Sequence, residues 1–262
     1  MNKAGKHYVL IFSALWLCVL SAPRANAQEP QDLQSAAKQL MVLANEARAA
    51  AGKPPLRWDP SLAEAARKHT MRMVAEGRIA HQYPGELNVS ERAGLARAHF
   101  DLIEENIAIA ATAQAIHDGW MHSQGHRENL LNSDIDSVGI AIVASRDVLY
   151  ATADYSRRVQ ALTREQLEAS FAELIRDTGL KVRADHALAR AACVMESGLP
   201  RAADNAQPAS LMRWEGSNVT QLPRQLVDNI ASRRFREAAV GSCDARGDQG
   251  TFTSYRIAVL LY

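Results

Sequence analysis

An α+β fold, with helices first and a strand hairpin after them, is what the order of patterns along this 262-residue chain predicts. Three observations carry the prediction. Apolar residues recur at helical spacing through the first third of the chain. Two β-rich runs, "VGIAIVAS" and "VLYATADY", flank the turn "RD" at 146–147 and read as a hairpin. Part of this order then returns in the second half: "RADHALARAAC" at 183–193 aligns without gaps to "RWDPSLAEAAR" at 57–67, with six of eleven positions identical.

Taken in order, the elements begin with a leader. Lys3 and Lys6 precede an apolar run at 8–20, and Ala25-Asn26-Ala27 supplies a small-x-small cleavage site, the layout of a secretory signal peptide over residues 1–27. The run is thirteen residues, short of the roughly twenty that span a bilayer, and Trp16-Leu17 before Cys18 do not make a lipoprotein site. A secreted or periplasmic chain starting near Gln28, with no stable membrane anchor, is expected. A first helix is expected over 34–51, where Leu40, Leu43, Ala47 and Ala50 share a face and Gly52 and Pro54 stop the run. Asp59 as N-cap and Pro60 in the first turn open a second helix that runs to about Gly77. Residues 79–100 read as loop and short helix. A third helix around 112–122 carries Ile116 and Trp120 one turn apart, and the hairpin follows.

The second copy also matches at the strands, where "AVGSC" at 239–243 answers "SVGIA" at 137–141 and "TFTSYRIAVLLY" closes the chain. The offset between copies is 126 residues at the helix motif and 102 at the strand motif, so copy two is 24 residues shorter between them. The shortened stretch is the one that holds the notable polar residues of copy one.

Composition narrows the function classes. The formal net charge is +1, and removing residues 1–27, with Lys3, Lys6 and Arg24 and no acid, brings it to −2. That balance gives no case for nucleic acid or an anionic membrane surface. Beyond the leader only Cys193 and Cys243 remain, which in an oxidising compartment is expected to mean one disulfide. No G-x-S-x-G elbow and no phosphate-binding glycine loop occurs.

His122 and His126 are four apart, the spacing of a helical metal pair, but Ser123 stands where zinc proteases place Glu. Gly125 argues that the helix has ended before His126.

The first half resembles the CAP superfamily of cysteine-rich secretory, antigen 5 and pathogenesis-related proteins, in its bacterial SCP form. The matching residues are "ANEARAAAGKPPLRWDPSLAEAARKH", "AHQ" around His81, "EENIA" at 104–108, "GWMHSQGHRENLL" at 119–131 and "VGIAI" at 138–142. The resemblance implies an α-β-α sandwich with a central antiparallel sheet over 34–157, followed by a smaller, degenerate CAP-like α+β module over 164–262. It also implies a cleft lined by two histidines and two acids, which in several members holds a divalent metal. Carried over residue by residue, the first histidine is His81, the first acid Glu105 and the second histidine His126. The second acid falls on Ser123, so the tetrad is incomplete.

Two imidazoles, a carboxylate and an open position form the ligand set of catalytic zinc sites, so zinc or another divalent cation is a candidate cofactor, with Glu105 the candidate base if there is catalysis. The resemblance implies a secreted binding module for an extracellular lipid, glycan or protein, and no commitment to catalysis. The alternative is a metal-dependent hydrolase of peptide or cell-wall material. Elsewhere, His69 is expected to pack on its helix, and His117 and His122 to be solvated or to sit behind the site. His99 and His186 have no acid or histidine at ligand spacing. Glu128 is expected to cap or pair on a short "HRENLLN" helix, and Trp58 and Trp120 to anchor the core.

Overall fold

The computed structural model describes residues 30–204, 207–245 and 252–262; the leader, its cleavage site and Cys18 lie outside the described residues. The first half comprises α1 (Pro30–Ala50), β1 (Arg57–Trp58), α2 (Pro60–Glu76), α3 (Val89–Leu95), β2 (Phe100–Ala110), α4 (Ala113–His122), α5 (Gln124–Leu131), β3 (Ser137–Ser145) and β4 (Val148–Arg158). Local chemistry sets these boundaries. Asp59 accepts the Ser61 and Leu62 N–H groups at the start of α2, and Gly77 ends it in the left-handed conformation, as the sequence predicts. Asn88 and Glu91 form a reciprocal capping box on α3.

The four strands form one sheet in the order β1-β3-β4-β2. The three long strands are antiparallel, as expected, whereas the two-residue β1 runs parallel to β3. Side chains alternate along β4: Ala151, Ala153 and Tyr155 enter a core with α1 and α4, including Leu40, Ile116 and Trp120. The opposite face is covered by α2 and α3, through Leu62, Ala65, Met73 and Ala93. Helices on both faces make this the expected α-β-α sandwich. At one point α2 rests directly on the sheet, because a Cβ on Gly139 would lie 2.0 Å from the Ala63 nitrogen.

The second half comprises α6 (Arg164–Arg176), β5 (Lys181–Val182), α7 (Ala187–Val194), a 3-10 turn (Arg201–Asp204), β6 (Ser210–Gly216), α8 (Arg224–Ala231), β7 (Glu237–Cys243) and β8 (Tyr255–Leu261). Its sheet has the order β5-β7-β8-β6, strand for strand that of the first, with the short strand again parallel and the long ones antiparallel. Gly241 meets α7 as Gly139 meets α2, with the Arg190 nitrogen 2.2 Å from its would-be Cβ. The gapless alignment holds at the short strands, where Arg57 donates to the Asp136 carbonyl and Arg183 to that of Ala238. It slips by one residue in the helices, since Ala63 and Arg190, not Ala63 and Ala189, present the nitrogen nearest the glycine.

Cys193 on α7 is bonded to Cys243, with Cα atoms 5.8 Å apart. Cys243 ends the first strand of the closing pair. The halves meet where Thr253 donates to the Phe100 carbonyl (2.6 Å) and Phe252 packs edge-on against Phe100. Among the described residues no helix is long and apolar enough to cross a membrane.

Candidate functional site

His81 lies in the loop between α2 and α3, Glu105 on β2 and His126 on α5, so three separate elements must be fixed for the cleft to exist. Glu105 is buried, and the His81 Nδ1–H donates to its Oε1 at 2.8 Å. The His81 side chain remains 58% exposed, so its other ring nitrogen is open to solvent. The His126 ring stands 6.5 Å from that of His81, centroid to centroid, at 49°. The structure therefore brings the two sequence-predicted histidines together beside the predicted acid.

Polar side chains set this geometry. Asn106, next along β2, donates to the His126 carbonyl (2.9 Å), and Asn129 of α5 donates to the Glu105 carbonyl (3.2 Å) and to the Asn106 amide oxygen (3.0 Å). These bonds and one from Trp120 to the Ile107 carbonyl occupy the outer edge of β2, which has no strand beside it. Arg48, wholly buried on α1, gathers the Leu130 carbonyl in the last turn of α5 and the Asn132 and Ile135 carbonyls beyond it (2.8, 2.8 and 3.2 Å). The α5 termination is thus satisfied from inside the molecule.

Three groups that the sequence reading did not link to the site surround Glu105. The Arg92 guanidinium of α3 donates to Glu105 Oε2 and to the His81 and Leu87 carbonyls (3.2 and 2.9 Å). His69 does pack on α2, as expected, but it also lies between two carboxylates, bonded to Glu86 at 2.8 Å and 3.9 Å from Glu105. Asp154, fully buried on β4, is the cross-strand partner of Glu105. Burial, and then the Glu105 charge, hold the Asp154 carboxyl well above the usual carboxylate range.

The two imidazoles differ. The bond His81 donates to Glu105 lifts His81 above the ordinary histidine value, with burial opposing it, while burial and then the nearby His81 lower His126. A cleft of about 310 Å³ opens beside His81, lined by Gln82, Asn88, Glu104 and Glu105 together with Val89 and Ile103. A second polar hollow of about 580 Å³ continues past Glu104 to Arg127, Asn129, Asn132 and Lys53.

Other predicted roles change. His122 is outside the cleft, its Nδ1–H bonded to the Asp118 carbonyl (2.7 Å). Ser123 forms the break between α4 and α5, which confirms that the helix ends before His126, while Gly125 lies inside the next helix. His117 is buried on α4 rather than solvated, and burial lowers its pKa. His186 does have an acid near it, Glu168 at 3.7 Å. Glu128 pairs along α5 with Gln124, as expected. Trp120 is core, but Trp58 is partly exposed at an apolar groove of about 740 Å³ between α1 and α2, along β3.

As a metal site the arrangement does not fit. Both Glu105 oxygens are engaged, by His81 and Arg92, and the second acid position is Ser123. Among the described residues no group of three or more histidine, cysteine or acid side chains stands at metal-holding geometry.

Comparison with known proteins gives a consistent picture. Residues 42–155 match the profile of CAP, the cysteine-rich secretory protein family. The chain is similar to the uncharacterized membrane protein YlbC of Bacillus subtilis, 31% identical over 122 residues, which are 46% of this chain and 34% of that one. It is also similar to the uncharacterized protein YkwD of the same organism, 28% identical over 123 residues, 45% of this chain and 47% of that one. The chain thus spans between a third and a half of the length of these relatives. A solved extracellular SCP-domain protein from Bacillus anthracis is 27% identical, with a TM-score of 0.46, over 50% of this chain and 44% of that one.

Proposed function

We propose that the CAP domain at residues 42–155 is the ligand-binding module of an exported bacterial protein, and that it takes a polar ligand, a peptide or a glycan, across His81. One observation carries this reading. A buried carboxylate orients a solvent-open imidazole at the mouth of a cleft whose walls carry amides and acids beside Val89 and Ile103. Such a cleft offers donors and acceptors in fixed positions, which is how polar ligands are recognised. The leader at 1–27, read from the sequence, and the extracellular relative support export.

Hydrolysis through a metal needs a third ligand that Glu105, as placed, does not supply, so the geometry favours binding. The second half, with its identical strand order and without the stretch that builds the cleft, fits a degenerate duplicate acting as scaffold. The groove at Leu33, Ala37, Met41, Trp58 and Met71 favours one second reading, an acyl chain lodged between α1 and α2.

Titrating soluble cell-wall glycopeptide fragments into isotope-labelled protein tests both readings. Shifts should gather around His81, Glu104 and Asn132 and vanish in His81→Ala. Shifts confined to α1 and β3 on adding a fatty acid, with none from the fragments, would replace the polar reading with the lipid one.

A further inference from the structure

We propose that Arg92 is the resident cation of the cleft: its guanidinium holds the Glu105 carboxylate that a divalent ion would otherwise claim, and makes the site metal-independent. The proposal stands whatever polar ligand the cleft takes.

Three observations lead here. First, Arg92 is 7% exposed, so its charge must be answered inside the protein, and Glu105, 5% exposed at its side chain, answers it. Second, Arg92 makes the cross-links that a bound ion would make. From α3 its guanidinium reaches β2 through Glu105 and the histidine loop through the His81 carbonyl (3.2 Å), and the same nitrogen also donates to the Leu87 carbonyl (2.9 Å). The capping box of Asn88 and Glu91 fixes the helix that delivers it. Third, the electrostatics oppose a dication. Glu105 and Arg92 cancel, and Ser123, at the second acid position, brings no charge. A dication at the imidazoles would therefore face a fixed positive charge and find neither oxygen of Glu105 free. In the usual arrangement a carboxylate behind a ligating histidine still lends its negative charge to the metal; here that charge is already neutralised.

The inference makes an unusual prediction, that removing a positive residue creates a metal site. Zinc titrated calorimetrically into the wild-type protein at neutral pH should show no saturable binding that depends on Glu105, up to about millimolar metal. Arg92→Met should bind zinc about 10- to 100-fold more tightly than wild type, the scale on which groups behind a ligand act. The gain should disappear in Arg92→Met with Glu105→Gln, and Arg92→Lys, which keeps the charge, should show none. A folded Arg92→Met that binds no better than wild type overturns the proposal. So does a wild-type site that Glu105→Gln weakens, because Glu105 would then be available to metal with Arg92 in place. That second comparison, followed by the side-chain nitrogen shifts of His81 and His126, decides the matter even if Arg92→Met does not fold.

Discussion

Asp154 holds a position that costs the fold stability for as long as it is ionisable. Its carboxyl is wholly buried opposite Glu105, and burial followed by that neighbouring charge raises its pKa well above 3.8. A group whose folded pKa is raised takes up a proton on folding, so the native state loses stability as pH rises from the unfolded value towards the folded one. Asp154→Asn keeps the shape and removes the titration. The variant should melt higher than wild type at pH 7, and the difference should shrink as pH falls towards about 4. A wild type that is the more stable at pH 7 would mean that the ionised carboxylate is used. The histidines give a second test at this scale. His81 should titrate above the ordinary imidazole value and His126 below it, and Glu105→Gln should bring His81 down, read by nitrogen-detected resonance of the rings. Of this cluster, His81, Glu105 and His126 were legible through the family resemblance. Arg92 and Asp154 were not, because nothing local marks the partner of a charge that sits on another element. A hint existed: "YATADYS" places a lone acid in a run that is otherwise apolar, small or hydroxylated, and every residue of it is buried.

At the scale of the element, the helices of the first half could be read and the strand β2 could not. Asp59, Pro60 and Gly77 bound α2 as their chemistry requires, and Gly125 misled only in that a new helix begins at Gln124. The strand β2, "FDLIEENIAIA", passed unnoticed because its adjacent acids break the apolar alternation that identifies a half-buried strand. Function is the reason: Glu104 and Glu105 face opposite sides, one bonded to Asn132 (2.8 Å) and the other to His81. The strand β6 and helix α8 were missed as well, the first for its interposed Arg213 and Glu215. Packing between elements makes the sharpest prediction here. A methyl group at Gly139 has no space beneath α2, so Gly139→Ala should lower stability by at least about 2 kcal/mol, measured by urea unfolding. Gly241→Ala should do the same beneath α7. A neutral effect at either position would mean the helix can lift off its sheet freely.

For the whole molecule, the sequence suggested a repeat, and the described residues form two sheets of identical strand order. It did not announce where the halves touch, since the Thr253 and Phe252 contacts on Phe100 depend on a tertiary approach that no periodicity encodes. The disulfide lies wholly in the second half and closes a separation of 50 residues, worth about 4 kcal/mol by restricting the unfolded chain. Reduction should therefore loosen the second sheet selectively, and hydrogen exchange should rise in β7 and β8 while β3 and β4 stay protected. Equal loss in both sheets would show that they unfold as one unit. The shared strand order also has a temporal meaning. In each sheet the last strand to be synthesised is an interior one: β2 pairs only with β4, and β6 only with β8. A nascent chain emerging from its amino end consequently holds β2 and β3 without their common partner until residues 148–158 appear, and it meets the same wait again before residues 255–261. Translation or translocation thus delivers two successive intervals of exposed, unpaired strand, each ending abruptly when one segment arrives, and a chaperone or protease would encounter this protein in those two intervals.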